Sequence, residues 1–221
     1  MGDRPFRWQW RAMTTTTLPL PVSPERMSLS LRRIAAHLLL VLVFISALLG
    51  AYFGFLQLTG NFAPVIAGEV YRSAQPTPAD LRRYVERYGI RSVINLRGRN
   101  DGNGWYDREV DASRRLGVQH IDFAMSARKS LDRAEMEQLI EVMRNAPKPV
   151  LIHCNAGADR SGLASALYLA AIAGQPQALA ARQLSFYFGH IPVPVRAEYA
   201  MDRSFAAARS WLPQAVPTAS R

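Results

Sequence analysis

Cys154 is the only cysteine among 221 residues, and it stands in the string Val150-Leu151-Ile152-His153-Cys154-Asn155-Ala156-Gly157-Ala158-Asp159-Arg160-Ser161-Gly162. A free thiol titrates near about 8.5, and a helix N-terminus or a cation beside it brings the thiolate within reach of neutral pH. Such a thiolate attacks phosphorus without a separate base. The planar fork of Arg160 can hold two phosphate oxygens at once, which an ammonium cannot. Ser161 is spaced to hydrogen-bond the sulfur and help it leave when a covalent intermediate is hydrolysed. A bare Cys-x5-Arg is a weak signal in a chain this rich in arginine, whereas the whole string with its flanking elements is specific. A thiol that merely packs in a core needs none of these neighbours.

Two elements must position that string. Residues 149–153 form a short apolar run after a proline, with β-branched Val150 and Ile152, and predict a buried strand. Residues 161–173 are rich in Ala, Leu, Tyr and Ile, and Gly174 and Pro176 follow, which predicts a buried helix with a glycine stop. Residues 154–161 then make a strand-to-helix turn. Successive N–H groups in such a turn form an anion nest at the positive end of a helix. Gly157 allows the chain to curl closely round a ligand.

Around this centre, Thr77 is a candidate N-cap with Pro78 at the first helical position, and Leu81, Tyr84, Val85 and Tyr88 recur at helical spacing. Strands are predicted at 91–96 and 118–123, and a helix at 106–116. Met136, Leu139, Ile140 and Met143 mark another helix, and 176–188 and 195–211 two closing helices. Alternating strands and helices imply an α/β domain, a parallel-rich central sheet flanked by helices. Its ligand belongs at the carboxyl ends of the strands.

At His153 to Gly162 the chain resembles the protein tyrosine phosphatase superfamily in its dual-specificity branch, whose signature is His-Cys-x5-Arg-Ser/Thr-Gly. Val70-Tyr71-Arg72-Ser73-Ala74-Gln75-Pro76 is similar to the YRS-x-QP segment of its small bacterial and atypical members, and Val93-Ile94-Asn95-Leu96-Arg97 to their INLR strand. The resemblance covers residues 69–212 and implies the cysteine-phosphatase fold. It makes Cys154 the nucleophile, Arg160 the phosphate clamp and Ser161 the hydroxyl that aids breakdown of the thiophosphate. Backbone N–H groups of Asn155, Ala156, Gly157, Ala158, Asp159 and Arg160 would hold the phosphate. No metal or cofactor is implied.

A phosphate ester leaves more easily when its oxygen receives a proton. In the resembled family an aspartate about 30 residues before the cysteine gives it. Here that region reads Ser126-Ala127-Arg128-Lys129. Asp122 has a suitable distance from the cysteine at a strand end, Asp132 follows the loop, and a third reading has no side-chain acid in the usual place. Asp132 also suits the first turn of the next helix, and Asp159 either orients Arg160 or a neighbouring backbone group or is a solvated acid at the helix start. Asp101 suits an ordinary turn.

Residues 34–58 carry no formal charge, and about 20 apolar residues suffice to cross a bilayer. A transmembrane helix is expected there. Residues 1–33 hold six arginines against two acids, and no Lys or Arg follows Arg33 until Arg72. The positive-inside rule then keeps the N-terminus in the cytoplasm and puts the catalytic part across the membrane, in a bacterial periplasm. One cysteine suits that compartment, since it forms no wrong internal disulfide. A cleaved signal peptide is the alternative, with sites near Ala47 or Ala51. Residues 1–33 read as a disordered basic segment, with Met27 an alternative start, 59–68 as a linker and 213–221 as a tail.

Net charge is +10, of which +4 lies in residues 1–33. The remainder can draw anionic substrates, and no nucleic-acid motif accompanies it. The expected partners are a phosphorylated protein or small phosphate ester, and a membrane. Phosphotyrosine is the leading substrate, with phosphoserine and phosphothreonine beside it. The alternatives are an inositol phosphate or phospholipid, and a phosphate-binding module that does not turn over.

Overall fold

The computed structural model describes residues 24–213, with side chains from Leu31 onward. The first 23 residues of the basic segment and residues 214–221 of the tail lie outside that range. Of the two compact units, the first ends at Leu48 and the second runs from Leu49.

The described residues of the first unit form one helix, which runs on into the second. This helix, α1 (Pro24–Leu58), starts ten residues before the expected span. Residues 24–33 are therefore helical rather than part of a disordered segment: Pro24 fits a first helical turn, and no breaker follows it. Leu31–Leu58 is long and apolar enough to cross a membrane.

The second unit is built on a five-stranded sheet. Its strands are β1 (Ala63–Ile66), β2 (Val70–Ser73), β3 (Ser92–Asn95), β4 (Gln119–Asp122) and β5 (Val150–His153), in the order β1-β2-β5-β3-β4. β2, β5, β3 and β4 are mutually parallel, and β1 pairs antiparallel at the edge. β1 lies in the segment expected to be a linker. Its four residues, with Pro64 and a register irregularity after it, are too short for a periodic signal, and proline is tolerated on an edge.

Each helix on the sheet starts and stops on sequence signals. α2 (Pro78–Tyr88) carries a capping box between Thr77 and Asp80 and ends on Gly89 at φ 67. α3 (Gly104–Leu116) is capped by Asn103 and stops at Gly117. In α4 (Arg133–Asn145), Asp132 and Glu135 form a second capping box. α2 and α3 cover one face, where Tyr71, Val93 and Leu151 meet Leu81, Tyr84 and Ala112. α4, α5 (Asp159–Leu167) and α7 (Ala200–Ala208) cover the other. There Val70, Ile94, Val150 and Ile152 meet Met136, Leu139, Met143, Leu163 and Phe205.

The helix expected over 161–173 is α5 followed by one π turn, Tyr168–Ile172, and it stops at Gly174 with φ 64. The two closing helices are shorter than expected. Residues 176–188 break into α6 (Gln177–Ala180) and two 3-10 turns, Ala181–Gln183 and Phe186–Phe188. Arg72 takes the Gln183 carbonyl, and Ser185 is extended, so the i→i+4 ladder cannot continue. The second closing helix is a 3-10 turn, Ala197–Tyr199, followed by α7, after Pro192 and Pro194.

A buried carboxylate ties α3 to the sheet. Glu109 accepts from His153 of β5 at 2.8 Å, from His120 of β4 at 3.0 Å, and from Gln75. Burial pushes this carboxyl up, but the charge of His153 and the three hydrogen bonds outweigh it and hold it at about 2. A depressed carboxyl stabilises the fold fully above its ordinary value of 4.5, and that contribution is lost as pH falls toward 2. Glu109→Gln should therefore lower stability by roughly 3 kcal/mol at neutral pH and flatten the loss of stability between pH 4.5 and 2. Urea titrations at stepped pH check this. An unchanged acid limb would contradict it.

Candidate active site

β5 is the central strand, so its carboxyl end opens between those of β2 and β3. Cys154 follows directly and is 3% exposed. Gly157, at φ 70, turns the chain over the end of β2. A Cβ there would stand 2.5 Å from the Ala74 nitrogen and 2.6 Å from the Ser73 carbonyl carbon, so no other residue fits. Helix α5 begins at Asp159, which puts Arg160 and Ser161 in its first turn rather than in the loop.

The carbonyls of this loop all point away from its centre onto donors. Asn155 O accepts the Gln75 N–H at 3.1 Å. Ala156 O accepts from Asn61 Nδ2 at 3.0 Å. Gly157 O and Ala158 O accept from the Arg72 guanidinium at 2.7 and 3.0 Å. A peptide whose carbonyl is held outward has its N–H turned inward. Among the described residues, no acceptor is bound by the N–H groups of Asn155 to Arg160. This is the geometry of an anion nest, reinforced by the positive end of α5.

Arg72 is wholly buried. It also donates to the Gln183 carbonyl at 2.8 Å and to its Oε1 at 2.9 Å, and it stacks on Phe188 at 3.9 Å. Burial pulls its pKa down to about 9, against the opposing pull of Cys154 and Asp159. Arg160 points toward the loop after β4. Its guanidinium donates to the Leu96 and Met125 carbonyls at 3.3 Å each, and its Nε is buried without a partner. Ser161 is likewise buried, and its hydroxyl makes no hydrogen bond, to Cys154 or to any other described group.

Several site residues carried no sequence signal of their own. Arg97, at the carboxyl end of β3, donates to Gln75 Oε1 at 2.8 Å and stacks on Trp105 at 3.5 Å. Burial, and then the charge of Arg160, lower its pKa, while Glu109 and Cys154 raise it. Arg72 and Gln75 lie in the YRS-x-QP segment, and Arg97 ends the INLR strand. Those strings give the residues, and the sheet order gives their purpose.

Asp122 stands at the end of β4. Its carboxylate accepts from Tyr106 at 2.5 Å and from Asn95 at 2.8 Å. It borders a cavity of about 420 Å³ with Met125, Ser126 and Lys129. Asp132 is the N-cap of α4, as its position in the first turn implied. Asp101 pairs with Arg99 at 2.7 Å on the surface. Asp159 differs from the solvated acid expected. It takes one nitrogen of buried His190 at 2.7 Å, and Asp202 of α7 takes the other at 2.8 Å. Burial lowers the His190 pKa, and the two carboxylates more than reverse that.

A buried thiol, a run of unpaired N–H groups and an arginine thus meet at the carboxyl end of a parallel strand. Residues 54–181 match the model of a tyrosine phosphatase family, and the chain belongs to that family. The solved structures it is similar to include P. aeruginosa TpbA, at 22% identity over 68% of this chain and 92% of that one, with a TM-score of 0.49. The catalytic core of the PP-IP phosphatase SIW14 from S. cerevisiae shares 19% identity over 71% and 96%, with a TM-score of 0.51. A DUF442 protein of Shewanella putrefaciens CN-32 shares 16% over 72% and 96%, with a TM-score of 0.56. The last two show the same fold. No curated protein matches the sequence significantly.

Proposed function

We propose that the chain is a membrane-anchored phosphatase that hydrolyses phosphotyrosine monoesters, with phosphoserine and phosphothreonine as further substrates, through a phosphocysteine on Cys154. The observation that carries this reading is the outward binding of all four carbonyls from Asn155 to Ala158. It turns the N–H groups of 156–159 inward and leaves them, with the unpaired N–H groups of 155 and 160, for the three non-bridging oxygens, which Arg160 also grips. The Cys154 thiolate forms the S–P bond as the ester P–O bond breaks, and Asp122 gives the leaving oxygen its proton. Water then displaces the sulfur from phosphorus and inorganic phosphate leaves, with Ser161 supporting the departing thiolate. Trp105, stacked on Arg97, and Met125, beside Arg160, set aromatic and apolar side chains next to two cations. That setting suits an aryl phosphate.

Arg97 also favours a second reading. An additional guanidinium beside the clamp suits a crowded polyanion such as an inositol phosphate or a phospholipid headgroup. The detergent-solubilised chain, assayed on phosphotyrosine peptides and on inositol phosphates, should show the higher kcat/KM on the peptides; the reverse order selects the second reading. Cys154→Ser should abolish turnover on both, and retained activity in that variant would remove the mechanism.

Asp122→Asn should cost about 100-fold in kcat on phenyl phosphate and much less on p-nitrophenyl phosphate, whose leaving group needs no proton. An equal loss on both would remove Asp122 as the acid. The charge asymmetry around α1 supports an N-terminus in the cytoplasm. A reporter fused after Arg221 should then be active in the periplasm of a bacterial host, and cytoplasmic activity would refute that topology.

A further inference from the structure

The last turns of α1, from Leu49 on, belong to the second unit. The Tyr52 hydroxyl donates to the Tyr187 carbonyl at 2.7 Å, and its ring stacks on Phe186 at 5.3 Å. Phe53 packs edge-on against Phe186 at 5.4 Å. Two left-handed residues then turn the chain, Gly60 at φ 67 and Asn61 at φ 45. Their N–H groups donate back to the Gln57 and Leu56 carbonyls at 3.2 and 2.8 Å, which closes the helix end. The Gly60 carbonyl in turn accepts the Ala74 N–H at 2.8 Å.

Asn61 is the only non-glycine residue with positive φ among the described residues, and asparagine is one of the few side chains that tolerate it. Its buried Nδ2 donates to two carbonyls, Ala156 at 3.0 Å and Phe188 at 2.9 Å. Ala156 belongs to the nucleophile loop. Phe188 carries the Arg72 guanidinium that holds the next two loop carbonyls. One amide group thus reaches three successive peptides of the loop, one directly and two through Arg72.

We propose that Asn61 is a positioning residue of the phosphate cradle, and that the turn it closes makes the end of the apolar helix a working part of the active site. The inference rests on the reading of residues 154–160 as a phosphate-binding loop. Without the Asn61 donors the half-buried Ala156 carbonyl loses its partner, which the peptide can relieve by rotating. Rotation would present an oxygen, in place of an N–H, to the anion. A residue that only supported the fold would change the amount of folded protein and not the affinity of what remains.

The inhibition constant for vanadate, an oxyanion with the shape of the phosphoryl transition state, does not depend on the active fraction. We would measure it on the full chain in detergent, for wild type and Asn61→Asp. Aspartate keeps the size and tolerates the same turn, but replaces both donors with acceptors. The inhibition constant should rise about tenfold or more, and kcat/KM should fall in step. Asn61→Ser, too short to reach either carbonyl, gives the same reading if the aspartate variant does not fold. An unchanged inhibition constant overturns the inference whatever the melting temperature does. Failure of wild type itself to bind vanadate or to turn over would overturn the phosphatase reading instead, and this inference with it.

Discussion

The rest of the structure depends on holding a row of peptide carbonyls outward. A loop that binds phosphate through its N–H groups must turn several consecutive carbonyls the other way, and buried carbonyls need donors. Here the donors are Gln75 N, Asn61 Nδ2 and the Arg72 guanidinium. Apart from the Gly162 N–H of α5, which also reaches the Ala158 carbonyl at 3.0 Å, none lies in the loop or in α5. They come from the residues around β2, and so the nucleophile strand has to lie beside β2.

The sheet order meets that need on both sides of β5. β2 brings the Arg72 brace and leads to Gln75, and β3 leads to Arg97 two residues past its end. Gln75 joins the two sides. Its N–H holds the loop, its Oε1 accepts from Arg97, and its Nε2 donates to Glu109. Burying a guanidinium as deeply as Arg72 is costly unless its donors are filled. Three carbonyls, one amide oxygen and the face of Phe188 fill most of them, leaving only Nε unpartnered. The positive charge set under the loop would also attract the anion that the proposed cradle takes. On the far side of the loop, the His190 bridge between Asp159 and Asp202 fastens the start of α5 to α7.

Much of the fold was legible because local signals coincide with the elements. The Thr77 and Asp132 caps, the Met136–Leu139–Ile140–Met143 stripe and the apolar run into Cys154 each name one element and its buried face. Cys154, Arg160 and Gly157 were legible because the chemistry needs those residue types in a fixed order. The brace was not. Arg72, Gln75, Asn61 and Arg97 act through side-chain hydrogen bonds 22 to 127 residues away in sequence, which no spacing reveals. β1 and the broken closing segment were missed for a related reason: tertiary partners, the β2 edge and Arg72, decide their conformation. His190 carried no signal either, because neither Asp159 nor Asp202 lies within a helical turn of it in sequence.

The most direct test of the account is the structure of the full chain with vanadate bound. The account predicts vanadium in line with Cys154 Sγ, its equatorial oxygens ringed by the N–H groups of residues 155–160 and by Arg160. The carbonyls of Asn155, Ala156, Gly157 and Ala158 should still rest on Gln75, Asn61 and Arg72. Vanadate bound elsewhere, or any of those four carbonyls turned toward it, would contradict the account.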